Sequence, residues 1–169
     1  MRGIYLLPNL FTAANLACGF SAVLKASDGS LQGMRQAAWL ILLANIFDTL
    51  DGRVARWTKA TSRFGVEFDS LADLVAFGVA PSVLVYHYIL DAYPFWGATA
   101  VFVFVLCGAA RLARFNVQAA LESEGPSYFF VGCPIPAASS FMAASVLFDI
   151  NRGLSAGPKV FLGLSLVCA

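Results

Sequence analysis

Long apolar stretches separated by short polar ones dominate the chain. Six apolar stretches can be distinguished, at residues 4–24, 37–47, 66–90, 95–112, 129–150 and 160–169. A helix needs about 20 apolar residues to span a membrane, and the stretches lack the alternation of apolar and polar positions that marks a transmembrane strand. The pattern therefore predicts an all-α, polytopic membrane bundle of about six transmembrane helices, the last of which is cut short at residue 169.

The polar connections between these stretches are short. They are predicted at residues 25–35, 57–64, 91–94, 113–128 and 151–159. None of them leaves room for a separate soluble domain, and the chain shows neither an internal repeat nor a low-complexity tail. We therefore expect a single transmembrane domain that covers residues 1–169.

The composition agrees with an integral membrane protein. Hydrophobic residues make up 59% of the chain and charged residues only 12%, with a mean hydropathy of +0.75, whereas soluble domains are about 25% charged. The net charge of +1 gives no indication of nucleic-acid binding.

The positive charges favour one orientation in the membrane. With the N-terminus in the cytoplasm, seven of the eleven lysines and arginines fall on the cytoplasmic side, and cytoplasmic loops carry an excess of such residues. We therefore expect a protein integral to the cell (cytoplasmic) membrane, with residues 48–73 at its cytoplasmic face.

Four aspartates interrupt the apolar pattern within this stretch. Asp48 and Asp51 are three residues apart and Asp69 and Asp73 are four apart, so each pair occupies one face of its helix. Both pairs lie roughly 6–12 Å from the turn between the helices, at about 1.5 Å per residue. A tight helical hairpin would therefore bring the four carboxylates together. Because carboxylates within a membrane are costly, they mark the candidate functional site.

The chemistry of four neighbouring carboxylates calls for cations. They cannot all remain bare anions, because like charges raise each other's pKa. Oxygen ligands suit Mg²⁺, Mn²⁺ or Ca²⁺ rather than Zn²⁺. Two such ions bridged by aspartates would suit displacement at phosphorus.

The residues around the aspartates suit an anionic diphosphate. Gly52 removes a side chain where a ligand would approach the backbone, and Gly65 either does the same on the facing helix or begins that helix. Arg56 is able to bind phosphate in a bidentate manner. Two other interpretations of the aspartates stay open at this point: interhelical salt bridges with the nearby arginines, and a pathway for a divalent cation through a transporter.

The aspartate stretch resembles the signature of the CDP-alcohol phosphotransferase family. Residues 48–73 match, at every defined position, the pattern D-x-x-D-G-x-x-A-R, eight residues, and then G-x-x-x-D-x-x-x-D. The resemblance implies an integral membrane enzyme that exchanges the CMP of a CDP-linked lipid for an alcohol. It implies that two divalent metal ions are held by Asp48, Asp51, Asp69 and Asp73. It further implies that Asp73 is the general base for the incoming hydroxyl, and that Gly52, Arg56 and Ser62 contact the CDP-lipid.

Further stretches resemble the phosphatidylserine synthase branch of this family. They read PNLFTAANLACGF from Pro8, FDSLADLVAFGVAP from Phe68, RLARFN from Arg111 and GCPIP from Gly132. This branch implies a CDP-diacylglycerol–serine O-phosphatidyltransferase reaction, in which CDP-diacylglycerol and L-serine give phosphatidylserine and CMP among membrane lipids. Other members with the same chemistry make phosphatidylglycerophosphate, inositol lipids or archaetidylserine. Family members are often homodimers, so a homodimer is expected by analogy.

The remaining substrate contacts are predicted with this reaction in view. L-Serine needs a cation for its carboxylate and an acceptor for its ammonium group, and we predict that they are found among Arg111, Arg114 and Asn116. The same three residues would also suit a cluster that anchors the helix at the membrane surface. Asn9 and Thr12 are expected to reach the cytidine or the diphosphate, although Asn9 would equally suit a helix cap.

Overall fold

Six α-helices make up most of the described structure. The computed structural model describes residues 6–58, 62–121 and 134–153, without the side chains of residues 6–8, 55, 56, 58 and 119–121. The predicted sixth stretch at 160–169 and the Gly132-Cys133 entry to the fifth lie outside these ranges. The helices are α1 Leu6–Ser27, α2 Leu31–Thr58, α3 Arg63–Asp73, α4 Ala80–Ile89, α5 Pro94–Leu121 and α6 Ile135–Arg152. The described residues contain no strand, which confirms the all-α prediction.

Within the described residues, three helical segments are long and apolar enough to cross a membrane. They are Asn9–Ser27, the continuous run Arg63–Ala92, and Pro94–Gln118. Large apolar side chains such as Phe20, Trp96 and Phe102 are exposed on the surface, as expected where lipid replaces water. At 28 residues α2 is also long enough, but its aspartates and arginines lower its hydropathy. The membrane bundle is confirmed, and the number of six spans stays a prediction.

The loop between α1 and α2 is shorter than the polar pattern predicts. The predicted connection at residues 25–35 is wrong in extent, because α1 continues to Ser27 and α2 begins at Leu31. Ser30 caps α2, since its hydroxyl oxygen accepts a hydrogen bond from the Gly33 backbone N–H at 2.9 Å. Gly29 takes a positive φ of 69° in the turn, a conformation that glycine adopts without steric cost. The polarity of this segment therefore reflects a helix start and not an extended loop.

Helix α5 is longer than its apolar stretch. The polar segment predicted from Ala113 is helical as far as Leu121. No glycine or proline occurs between these two residues, and Ala, Leu, Arg and Gln are all good helix formers. Hydropathy marks the part of a helix that faces lipid, and so it does not mark where the helix ends.

The helix that carries two of the four aspartates widens directly after Asp73. Residues Leu74–Val79 form a π-helical turn before α4 begins. The Ala80 backbone N–H donates to the Val75 carbonyl five residues earlier, and Pro81, which has no backbone N–H, follows at the start of α4. Turns of this kind are frequent at functional sites.

Small residues let the helices approach closely around the core. The main cluster lies among α1, α2, α4, α5 and α6, and its members include Ala22, Ala26, Ala37, Ala38, Ile41, Leu84, Phe104, Met142 and Val146. Close approach of helix backbones through small side chains is typical of membrane bundles. At Gly19 of α1, an added Cβ would lie 2.6 Å from the Cα of Ala76. This position therefore requires glycine if α1 is to pack against the π-helical turn.

A polar pair joins α4 to α6 at a distance from the aspartates. The Tyr88 hydroxyl donates a hydrogen bond to Asp149, whose side chain is 1% exposed. Tyr88 follows Asp73 by fifteen residues, roughly 22 Å along the helix at about 1.5 Å per residue. The pair therefore belongs to the other end of the bundle.

Candidate metal centre and substrate site

Carboxylates from α2 and α3 meet near the turn between these helices. Oxygen atoms of Asp48, Asp51 and Asp69 all lie within 4.8 Å of one another. Asp73 stands directly beside them, with its carboxyl group within hydrogen-bonding reach of Asp48. The helical hairpin thus brings together the four aspartates that the spacing singles out.

The cluster fits bound divalent cations. Asp51 is only 5% exposed, and the other three aspartates are half-buried. The Oδ1 atom of Asp69 is buried and has no hydrogen-bond partner among the described residues. Such an oxygen is costly to bury unless something coordinates it. Because the donors are all carboxylate oxygens, hard cations such as Mg²⁺ or Mn²⁺ match the set.

Helix α1 supplies hydrogen-bond donors to two of these carboxylates. The Thr12 hydroxyl donates to Oδ2 of Asp51 at 3.2 Å, and the Asn15 side-chain amide donates to Oδ1 of Asp73 at 3.1 Å. Thr12, predicted to reach the substrate, is 4% exposed and touches a predicted metal ligand. Both donors are neutral groups, whereas a salt-bridge network would use the charged side chains of arginines.

Asn15 was not among the site residues predicted from the sequence. Asn9, Thr12 and Asn15 recur at three-residue intervals, which is a polar stripe on one face of an otherwise apolar helix. That stripe is the signal that points to the position. Its partner on α3 becomes evident only once the helices are packed together.

The start of α3 is built by Ser62, Gly65 and Asn9. The Ser62 hydroxyl oxygen accepts a hydrogen bond from the Gly65 backbone N–H at 3.0 Å and caps the helix. A Cβ added at Gly65 would lie 3.1 Å from that oxygen and 3.3 Å from Oδ1 of Asn9. Glycine therefore lets α1 approach the beginning of α3. Because α1 begins at Leu6, the alternative interpretation of Asn9 as a helix cap is wrong.

Gly52 and Arg56 follow the first aspartate pair on α2. A Cβ added at Gly52 would meet no protein atom within 4 Å, so contacts among the described residues do not require glycine there. The absence of a side chain leaves open space beside Asp51. The Arg56 backbone belongs to α2, and its side chain lies outside the described part of the chain, so its phosphate contact stays a prediction.

The predicted serine-binding residues lie on α5. The Asn116 side-chain amide donates to the Ser70 hydroxyl oxygen at 2.9 Å and to Oε2 of Glu67 at 3.3 Å. Asn116 therefore joins α5 to α3 at Ser70, the residue directly after Asp69. Arg111 is half-buried and Arg114 is exposed. Glu67 was not among the predicted site residues, and it places a carboxylate beside Asn116.

The model of a known protein family matches nearly the whole chain. The family model described as CDP-alcohol phosphatidyltransferase matches residues 5–168. The chain belongs to the CDP-alcohol phosphatidyltransferase family. The match covers the four aspartates and the two hydrogen-bond donors on α1, Thr12 and Asn15. It also covers Asn116 with its partners Ser70 and Glu67 (the Asn116 cluster), so all of the candidate site lies inside the matched region.

Several members of the CDP-alcohol phosphatidyltransferase family are similar in sequence to this chain over most of its length. A CDP-diacylglycerol–serine O-phosphatidyltransferase of Helicobacter pylori (strain J99) is 46% identical over 162 residues, covering 95% of this chain and 66% of the relative. The protein of the same name from Mycobacterium tuberculosis (strain H37Rv) is 42% identical over 160 residues, covering 90% and 53%. An archaetidylserine synthase of Methanothermobacter thermautotrophicus is 40% identical over 152 residues, covering 89% and 61%. The chain thus spans from about half to about two thirds of the length of these relatives.

Proposed function

We propose that this chain transfers the phosphatidyl group of CDP-diacylglycerol to the hydroxyl group of L-serine, giving phosphatidylserine and CMP. The observation that carries the proposal is the meeting of carboxylate oxygens from Asp48, Asp51 and Asp69 within 4.8 Å, with Asp73 beside them. The names of the two bacterial relatives support serine as the alcohol.

The four aspartates would hold two divalent metal ions, Mg²⁺ or Mn²⁺, with Ca²⁺ as a further candidate. When bound, such ions neutralise the diphosphate and the negative charge that develops on the departing phosphate. Thr12 holds Asp51 in place from α1, and the open space at Gly52 admits the diphosphate next to it. Arg56 would bind a phosphate oxygen, and Asn9, Ser62 and Gly65 lie together where the cytidine end of the substrate is expected.

Asp73 would accept the proton of the serine hydroxyl group. The serine oxygen then forms a bond with the lipid-side phosphorus, while the bond from that phosphorus to the bridging oxygen breaks. CMP leaves with the bridging oxygen and its electron pair. A carboxylate in hydrogen-bonding reach of the attacking hydroxyl is what general base catalysis requires.

The Asn116 cluster would recognise the amino acid itself. The Glu67 carboxylate and the Ser70 hydroxyl oxygen offer acceptors for an ammonium group, and Asn116 ties both of them to α5. Arg111, on the same helix, is the candidate partner for the serine carboxylate. Arg114 is exposed and suits the alternative role of an anchor at the membrane surface.

The site is proposed to face the cytoplasm, because the excess of positive charge favours that side for the α2–α3 turn. A homodimer is proposed by analogy with the family. A cation transporter is not favoured, since family members with assigned names are transferases and synthases. Archaetidylserine formation would use the same alcohol on an ether lipid.

The test is an assay of purified protein with CDP-diacylglycerol, Mn²⁺ or Mg²⁺, and one alcohol at a time. L-Serine, glycerol 3-phosphate and inositol are compared by CMP release and by the lipid formed. We expect L-serine to give by far the fastest release, with phosphatidylserine as the product. Absence of CMP release, or equal rates with all three alcohols, would overturn the proposal.

A further inference from the structure

A fully buried amide contacts the proposed base. Asn15 is 0% exposed, and its Nδ2 atom donates to Oδ1 of Asp73 at 3.1 Å. The bond occupies one carboxylate oxygen of Asp73, Oδ1, with a donor from α1. Because the amide is neutral, it orients the carboxylate without adding a compensating positive charge.

Packing of α1 fixes the position of this amide. One turn after Asn15, Gly19 lies against Ala76 so closely that an added Cβ would be 2.6 Å from the Ala76 Cα. One turn before it, Thr12 donates to Asp51. The Asn15–Asp73 contact is therefore held between two other contacts of the same helix face.

Among the described residues, the donor of the Asn15 amide is used and its acceptor is not. The Oδ1 atom of Asn15 is buried without a hydrogen-bond partner there, which costs about 1–3 kcal/mol. Its Nδ2 atom satisfies a carboxylate oxygen of Asp73. The amide therefore serves the Asp73 carboxylate and no other group in the described structure.

We propose that Asn15 is a positioning residue for the transfer reaction: its amide holds the Asp73 carboxylate in the orientation from which Oδ2 accepts the serine proton. The inference rests on the proposed function and adds to it a residue on α1 that acts only through Asp73. Asn15 therefore differs from the residues proposed to contact the substrate, because its amide is directed at the Asp73 carboxylate.

The test compares Asn15→Leu and Asn15→Ala with the wild-type protein. Both variants remove the amide donor without adding a charge, and the second removes the side chain beyond Cβ. Residues that orient metal-ligating side chains are typically worth about 10–100-fold in activity, so we expect kcat to fall by that factor. The KM for CDP-diacylglycerol should stay within about threefold. The solvent deuterium isotope effect on kcat should rise, because proton transfer becomes slower.

Asn45→Leu is the matched control for a purely structural asparagine. The Asn45 amide donates to the Pro136 carbonyl at 3.1 Å and to the Ser140 hydroxyl oxygen at 2.6 Å, and so it joins α2 to α6 without touching an aspartate in the described structure. This variant should lower the melting temperature while the kcat of the folded protein and its isotope effect stay unchanged.

The possible outcomes separate the two proposals. If the wild-type protein released no CMP with any alcohol, the proposed function would fail. If it released CMP with serine and Asn15→Leu kept the wild-type kcat and isotope effect, only the positioning role would be overturned. Should Asn15→Leu not fold, the Asn15→Ala variant decides by the same criteria, and a wild-type kcat in that variant would equally exclude the role.

Discussion

The hydroxyl group of Thr12 donates a hydrogen bond to Oδ2 of Asp51 across 3.2 Å in the interior of the bundle. The two residues are 39 positions apart in the sequence and join the first helix to the second. The bond holds a carboxylate that is 5% exposed in one orientation before any cation arrives. A metal ligand that is oriented in advance loses less side-chain freedom on binding.

Thr12→Val removes this donor and keeps the shape of the side chain. We expect a loss of about 1–3 kcal/mol in the free energy of unfolding, because a buried carboxylate oxygen loses a hydrogen bond. We also expect about tenfold or weaker Mn²⁺ affinity, as for other outer partners of metal ligands. Chemical denaturation and Mn²⁺ titration measure these effects. Thr12→Ser retains the hydroxyl group and should stay close to wild type. Equal loss in both variants would contradict the hydrogen bond as the cause.

Asp73→Asn is expected to abolish turnover while the protein still binds CDP-diacylglycerol. The amide cannot accept the hydroxyl proton, and removal of a general base typically costs about 10²–10⁴-fold in rate. Rapid-mixing measurement of CMP release gives the rate, and calorimetry with CDP-diacylglycerol gives the binding. Asp91→Asn, at an exposed position in the turn before α5, is the control and should be fully active. Full activity of Asp73→Asn would rule out its role as the base.

Gly52→Ala should raise stability and weaken substrate binding at the same time. Its new Cβ meets no protein atom within 4 Å, and alanine favours a helix over glycine by about 0.5–1 kcal/mol. If the diphosphate occupies that space, the KM for CDP-diacylglycerol should rise by about tenfold, which corresponds to about 1.4 kcal/mol.

Gly19→Ala provides the contrast for this variant. Its Cβ would lie 2.6 Å from the Ala76 Cα, so the melting temperature should fall. A Gly52→Ala protein with wild-type KM would show that the substrate does not use the open space beside Asp51.

Asn116→Ala should weaken the binding of L-serine without changing the binding of CDP-diacylglycerol. The variant releases Ser70 and Glu67 from α5, so acceptors for the ammonium group lose their fixed positions. Hydrogen bonds to charged groups contribute about 1.5–3 kcal/mol, and we expect the KM for L-serine to rise by about tenfold or more. The KM for CDP-diacylglycerol should not change. Gln118→Ala, exposed on the same helix, is the control, and a parallel rise in both KM values would argue for a general distortion of the site.

Removal of divalent cations with EDTA should stop CMP release completely. The carboxylate oxygens of Asp48, Asp51 and Asp69 match hard cations, so Mg²⁺ or Mn²⁺ should restore activity and Zn²⁺ should not. The chelated protein should also lose stability, because four neighbouring carboxylates then repel one another. Circular dichroism during chelation and re-addition follows the second effect. Undiminished CMP release in EDTA would exclude the metal-dependent mechanism.

The relation among the aspartates could be predicted from the sequence because helix geometry is regular. Spacings of three and four residues place Asp48 with Asp51 and Asp69 with Asp73, and equal distances from the turn place the two pairs at one depth. Nothing outside residues 48–73 is needed for that argument. The all-α membrane class followed in a similar way from the length of the apolar stretches.

Other features depend on tertiary contacts that no local pattern contains. Asn15 lies in an apolar stretch, and only the packing of α1 against α3 shows that its amide meets Asp73. Ser62 was predicted to contact the substrate, and its role as the cap of α3 is visible only in the backbone geometry. The helical extension of α5 to Leu121 was missed because hydropathy reports the surroundings of a helix and not its length.

The donors on α1 come before their partners in the order of synthesis. Translation delivers Thr12 and Asn15 before Asp51 and Asp73. Of the first two helices, α1 alone has the length and hydropathy of a membrane span within the described residues. Each of the two carboxylates therefore has a polar partner on a helix that is synthesised earlier, in surroundings where lipid offers none.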